Sequence, residues 1–304
     1  MNQITIATRE SALALWQANF VRDRLMEAHP GLDVKLLGMT TKGDQWLNAP
    51  LKEIGGKGLF IKELEVAMLE GRADLAVHSV KDLPAFLPEG FSLPLIGFRE
   101  DVRDVLLGGP GGIDQLPKNA RVGSSSPRRR AQLLAHRPDL RVESIRGNVQ
   151  TRLSKLDSGE FDAIVLAQAG LSRLGIDRGD AHPLAVEDCL PAPGQGALGI
   201  EILSNSPVEA LLEKLRNKDV ARCVEAERGI SAGLGADCAL PVAAYATADV
   251  KGVIHMRALV AQPDGRAILR AEGHGSDPSA LAHRLVAELL DHGAQSILDS
   301  ARRG

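Results

Sequence analysis

The sequence is poor in cysteine and aromatic residues and has no excess of positive charge. Its three cysteines, Cys189, Cys223 and Cys238, form no C-x-x-C pair, which excludes four-cysteine zinc sites and thioredoxin-type redox motifs. Three thiols without a framework spacing fit a reducing compartment. At 3% aromatic content, too little stacking surface is present for a single-stranded nucleic-acid platform. Lys+Arg number 36 against Asp+Glu 39, a net charge of −3, so the basic excess of a nucleic-acid binder is missing and a basic site must be a local pocket. Charges interrupt every apolar run well short of the roughly 18 residues a membrane helix needs. The start, MNQITIATRE, lacks the basic and apolar regions of a secretory signal. We expect a cytoplasmic monomer that meets neither membrane nor nucleic acid. Its 304 residues are enough for two or three domains.

Residues 3–8 read as a strand, and Ser11 is placed to cap a helix that ends at the HPG of 29–31. A second strand follows at 33–40. The polar, Gly-rich connection 41–58 is expected to be a mobile lid. FIKELEVAMLEG reads as a helix closed by Gly71. One internal echo organises the rest. Gly71-Arg-Ala-Asp74 leads into the apolar run 75–77, and Gly159-Glu-Phe-Asp162 leads into 163–167, each after a helical run. This points to two similar α/β units with mainly parallel sheets. LPAPGQGALGIEI, 190–202, reads as a crossing segment into another strand. A helix near 207–230 comes next, then three strand-like runs with a hairpin turn at Pro263-Asp264-Gly265, and a helix at 278–291. These make a small C-terminal α+β unit, entered by the loop that carries Cys238.

Three features carry chemistry. Cys238, after two glycines in GLGADCALP, is either a small buried hydrophobe or a thiolate open to a ligand. AVHSVKDLP places Ser79, Lys81 and Asp82 just beyond an apolar strand, where open α/β sheets bind ligands; a solvated ion pair is the plain alternative. RVGSSSPRRRAQL ends a strand at Gly123 and opens a helix at Pro127. Serine hydroxyls, free N–H groups and Arg128, Arg129 and Arg130 there make an anion site, unless they are only a solvated basic face or a nucleic-acid patch. Neither a Walker loop nor G-x-G-x-x-G occurs. Arg9, Arg146, Arg152 and Arg173 also follow strand ends or helix starts. Collectively the arginines fit a ligand with several carboxylates.

These segments, with IATRESALALWQA, GGKGLFIKELE, SIRGNVQTRLSKLD, LAQAGLSRLG and LPAPGQGALGIE in that order, closely resemble the hydroxymethylbilane synthase (porphobilinogen deaminase) family along nearly the whole chain. The resemblance implies two alike lobes arranged as in type II periplasmic binding proteins, and a small third domain. The implied boundaries are 1–97 with 197–215, then 102–191, then 219–304. It implies a dipyrromethane cofactor bound as a thioether to Cys238, porphobilinogen as substrate, and a transferase that links four substrate molecules with loss of ammonia and then hydrolyses off the linear tetrapyrrole. By the same resemblance Asp82 is the catalytic carboxylate. Lys81, Ser124, Ser125, Ser126, Arg128, Arg129 and Arg146 hold the cofactor, and Arg9, Ser11, Ser79, Arg152, Arg173 and Gln195 hold substrate. No metal is implied.

Three positions depart from the family pattern. Ala236-Asp237 stands where Gly-Gly is frequent, Ser124-Ser125-Ser126-Pro127 replaces a Thr-Ser-Ser-Leu run, and Glu53 takes the place of a Lys, with Lys52 adjacent. The rival reading is a non-catalytic two-lobed protein that binds a small polycarboxylate and needs neither Cys238 nor the third domain.

Overall fold

The computed structural model describes residues 2–40, 61–237 and 239–303. The 41–58 connection and Cys238 lie outside the described residues. Two compact units form, Met1–Arg99 with Ala197–Ala221, and Glu100–Gly196 with Arg222–Gly304.

The first unit contains β1 (Gln3–Arg9), α1 (Ala12–Ala28), β2 (Asp33–Met39), α2 (Lys62–Leu69), β3 (Leu75–Ser79), β4 (Phe91–Gly97) and, from beyond the second unit's first segment, β10 (Leu198–Leu203). The sheet order is β2-β1-β3-β10-β4. Alternation along β1 turns Ile4 and Ile6 onto Ala18, Val21 and Leu25 of α1, burial that at roughly 25 cal/mol per Å² dominates the favourable side of folding. Ser11 caps α1 by accepting from the Ala14 N–H, and the run stops at His29, as its sequence predicts.

The second unit repeats the plan with β5 (Asp104–Leu107), β6 (Arg121–Gly123), α3 (Pro127–His136), β7 (Arg141–Glu143), α4 (Val149–Asp157), β8 (Ala163–Ala167), α5 (Gln168–Arg173) and β9 (Ala181–Pro183). Its order is β7-β6-β8-β5-β9. In each sheet the fourth strand, β10 or β5, runs against its neighbours and the others share one direction. The expected pair of mainly parallel, type II periplasmic-binding-protein-like α/β folds is therefore present. Gly71 and Gly159, the echoed glycines, have φ of +69° and +75°, a left-handed conformation that closes a helix and turns the chain into the strand.

Still within the second unit, β11 (Val242–Ala248), β12 (Ile254–Ala261) and β13 (Ile268–Gly275) form an antiparallel sheet. The expected hairpin at 263–265 joins β12 to β13. One sheet face packs Met256, Ala258 and Val260 against helices at Lys218–Gly233, Pro278–Asp291 and Ala294–Arg303. The other packs Leu259 and Ala261 on Ala131 of α3 and on Leu190. The helix expected near 207–230 is broken into Glu209–Leu212, a 3-10 turn at Glu213–Leu215 and Lys218–Gly233. The helix Ala294–Arg303 was not expected.

Candidate functional site

In the first unit, β1 and β3 are parallel neighbours, so their carboxyl ends bring Arg9, Ser11, Ser79, Lys81 and Asp82 to one edge of the sheet. The Ser79 hydroxyl accepts from Nε2 of the buried Gln17 at 2.9 Å. Beyond it the chain makes one 3-10 turn, Val80–Asp82. That turn is held by the Val80 N–H on the Ala197 carbonyl at 3.0 Å and by burial of the Val80 side chain. Lys81 is half-buried and Asp82 exposed. Among the described residues, the Asp82 carboxylate has no ion pair or hydrogen bond. The ion-pair alternative for this carboxylate thus loses its geometric basis.

In the second unit, the three serines follow β6. Ser126 caps α3 by accepting from the Arg129 N–H at 3.4 Å, and Pro127 fills the first helical position, where its missing N–H costs nothing. The Ser124 hydroxyl accepts from the Ser126 N–H at 3.3 Å. Ser125 donates to the Ile145 carbonyl and lies 2.9 Å from the Ser144 hydroxyl, tying the serine run to the loop that carries Arg146. Arg152, in the first turn of α4, donates through Nε to the Gly147 carbonyl at 2.9 Å.

Arg128 and Arg129 are 3% and 6% exposed, so neither belongs to a solvated basic face. Both converge on Asp104, the fully enclosed first residue of β5. Arg128 Nη1 meets Oδ2 and Arg129 Nη2 meets Oδ1, each at 2.7 Å. Gln195 Nε2 donates to Oδ1 at 2.8 Å, and the Cys189 thiol donates to Oδ2 at 3.3 Å. Further bonds run from Arg128 Nη1 to the Leu190 carbonyl at 2.7 Å, and from Arg129 Nη1 to the Val165 carbonyl at 3.0 Å. Burial opposes ionisation of Asp104, but the two guanidiniums outweigh it and hold the carboxyl well below its usual range. Burial, with the Asp104 charge beside it, pushes the Cys189 thiol up to about 12. Cys189 is therefore an inert donor.

Two arginines facing one aspartate leave one positive charge over. The Nε–H groups of Arg128 and Arg129 are buried and have no hydrogen-bond partner among the described residues, an arrangement that favours an anionic ligand. Arg173, on α5, is 5% exposed and donates through Nη2 to the Gly196 carbonyl at 2.6 Å. Burial brings its guanidinium down to about 10, with Glu100 opposing the shift. Gly196 adopts φ +84°, and a Cβ there would stand 2.5 Å from the Glu100 carbonyl oxygen, so only glycine lets the crossing segment approach this closely. Its neighbour Gln195 is fully enclosed, with Nε2 on Asp104 and on the Val102 carbonyl at 2.7 Å.

Asp104 escaped the sequence reading because an acidic residue opening a short apolar strand looks like a solvated flank. Its partners Arg129, Cys189 and Gln195 lie 25, 85 and 91 residues away. The one available signal was that two adjacent arginines on a helix start call for a buried counter-charge.

A family model described as "Porphobilinogen deaminase, dipyromethane cofactor binding domain" matches residues 4–209. A second, "Porphobilinogen deaminase, C-terminal domain", matches residues 221–291. The porphobilinogen deaminase of Thiobacillus denitrificans is 53% identical over 304 residues, covering 99% of each chain. That of Acidithiobacillus ferrooxidans is 50% identical over 303 residues, again with 99% of each covered. Among solved structures, the BvgS VFT2 domain of Bordetella pertussis aligns with a TM-score of 0.42 and 16% identity, covering 74% of this chain and 93% of that one. The periplasmic aliphatic sulphonate binding protein SsuA of Escherichia coli aligns with a TM-score of 0.41 and 13% identity, covering 77% and 70%.

Proposed function

The chain belongs to the porphobilinogen deaminase family, and from that premise we propose how its side chains divide the reaction. It is a transferase, hydroxymethylbilane synthase: four porphobilinogen molecules are joined head to tail, ammonia leaves at each step, and hydrolysis releases the linear tetrapyrrole. The family's cofactor is dipyrromethane, and we place its thioether at Cys238.

The residues present fit that group. Each of its two rings carries an acetate and a propionate, so its receptor must be basic and must offer N–H donors. Arg128 and Arg129, with a surplus charge and two unspent Nε–H groups, meet that need, and Lys81, Ser124, Ser125, Ser126 and Arg146 complete the set. When bound, dipyrromethane supplies the primer, a pyrrole carbon to which the first substrate ring is joined.

Arg9, Ser11, Ser79, Arg152 and Arg173 take the carboxylates of substrate rings. The lowered proton affinity of Arg173 marks a buried cation that gains from an incoming carboxylate. Asp82 is the catalytic residue. Loss of ammonia from porphobilinogen leaves an electron-poor cationic pyrrole, and an exposed carboxylate that has no partner among the described residues is able to face that charge and take the pyrrole proton released on coupling. Gln195, fully enclosed, serves through Asp104.

We assign three domains, 1–97 with 197–215, 102–191, and 219–304, and a cytoplasmic monomer. Among the described residues no helix is long and apolar enough to cross a membrane. The observation that carries the proposal is the enclosed two-arginine, one-carboxylate cluster. The test is the intact mass of the denatured chain, expected to exceed the sequence by two pyrrole units, together with release of the tetrapyrrole when porphobilinogen is added. A bare mass and no product would overturn it. A non-catalytic polycarboxylate binder has no use for a covalent adduct, so the same measurement separates the two readings. Light scattering on a sizing column checks the monomer.

A further inference from the structure

Asp104 lies within hydrogen-bond distance of four donors on its two oxygens: Arg129 Nη2 and Gln195 Nε2 at Oδ1, Arg128 Nη1 and the Cys189 thiol at Oδ2. That saturates the lone pairs of a carboxylate. Fully enclosed, it does not touch a ligand. Among the described residues, every polar contact of the Arg128 guanidinium runs through Nη1, which leaves its Nε–H edge without a partner there.

We propose that Asp104 is a positioning residue: it grips Arg128 and Arg129 by one terminal nitrogen each, so that the pair meets one ligand carboxylate with one surplus positive charge and its Nε–H groups unspent. Stability alone is a poor reason for such a cluster. Buried ion networks are frequently no more stable than apolar packing, and orphaned donors make them worse. A saturated aspartate is also anchored, because moving toward a ligand would break several bonds at once. The arginines are thus held in register before any carboxylate arrives, which spares the binding step the cost of ordering two long side chains. Gln195 and Cys189 act one layer further out, as donors that fix Asp104. Gln132 braces the same segment, its Oε1 accepting from the Leu190 N–H at 2.7 Å.

The inference rests on the reading that Arg128 and Arg129 bind ligand carboxylates, and the test keeps the two apart. Unloaded protein is made in cells that cannot form porphobilinogen, porphobilinogen is added, and the denatured mass is followed with time. D104N is expected to melt cooperatively yet gain the adduct at least tenfold more slowly. Leu133→Ala, a core truncation chosen for a comparable loss in melting temperature, is expected to load at the wild-type rate. Wild-type loading by D104N, or equally slow loading by Leu133→Ala, overturns the role of Asp104. If D104N does not fold, D104E replaces it, with the same charge on a stem one methylene longer. Slowed loading by D104E supports the proposal and wild-type loading overturns it. Normal loading by R129K would remove the arginine reading itself, whereas slow loading by R129K beside normal loading by D104N removes only the inference about Asp104.

Discussion

Asp74 and Asp162 make the same bond in the two units. The Asp74 carboxylate accepts the Thr5 N–H of β1 at 2.7 Å, and the Asp162 carboxylate accepts the Arg121 N–H of β6 at 2.6 Å. Each aspartate also returns its own N–H to the carbonyl of the same residue, at 2.8 and 2.9 Å. A left-handed glycine and an aspartate three residues later thus form one device, used twice, that pins a helix-to-strand turn to a parallel neighbouring strand of its sheet.

Removing this device should cost stability locally. Hydrogen bonds to a charged acceptor contribute about 1.5–3 kcal/mol when enclosed and less when wet. Asp74→Ala, partly buried, is expected to lose about 1–2 kcal/mol, and Asp162→Ala, more exposed, about 1 kcal/mol or less. Denaturant titration of the two single variants and the double variant checks both the sizes and their additivity.

Asp82→Asn should keep its melting midpoint, because the carboxylate has no partner to lose among the described residues. Turnover by the cofactor-loaded variant should fall at least about a hundredfold, the scale of positioned acid–base help. Steady-state rates beside thermal melts decide this. Near-normal turnover would overturn the assignment.

Of the three thiols, Cys189 and Cys223 are buried. Peptide mapping of the native protein should find the two-pyrrole adduct on Cys238 alone. Cys238→Ala should carry neither adduct nor activity, while Cys189→Ser should retain the adduct. An adduct mapped to Cys189 or Cys223 would remove Cys238 from its role.

The Cys189 thiol also sets an alkaline limit. Its folded value, about 12, lies above an ordinary 9.0. Folding therefore holds the proton more tightly, and the stability this contributes is complete below about pH 9 and is lost as pH climbs toward 12. Each tenfold gain in proton affinity is worth about 1.36 kcal/mol, so wild type should lose about 2–3 kcal/mol more than Cys189→Ser between about pH 9 and pH 11. Denaturant unfolding of the two proteins across that range measures the difference.

Local signals in the sequence were enough for the helix cap at Ser11, the Pro127 start, the closing glycines at 71 and 159, and the 278–291 helix. Each rests on chemistry within a few residues of itself. The Asp104 cluster was not legible, because it draws together residues from β5, α3 and the crossing segment that only the finished sheet makes neighbours. The same limit left the reading of Arg128 and Arg129 incomplete. Their spacing announced an anion site, but nothing local announced that Asp104 already occupies one side of it. The helix Ala294–Arg303 was missed for another reason, since a polar, charged stretch with few apolar residues looks like a tail until its Ile297 and Leu298 find a core.

The strand β10 carries a consequence for how the chain comes together on the ribosome. Among the described residues of the first unit β4 pairs only with β10, and β10 lies about 100 residues further along the chain than β4. At roughly 5–20 residues per second, β4 must wait on the order of 5–20 s for its partner, with β3 lacking a neighbour on one side for longer. The second sheet draws all of its strands from the continuous stretch 104–183 and needs nothing made later. The sheet begun first is therefore completed second, and its open strand edges are the place where a nascent chain is exposed to mispairing.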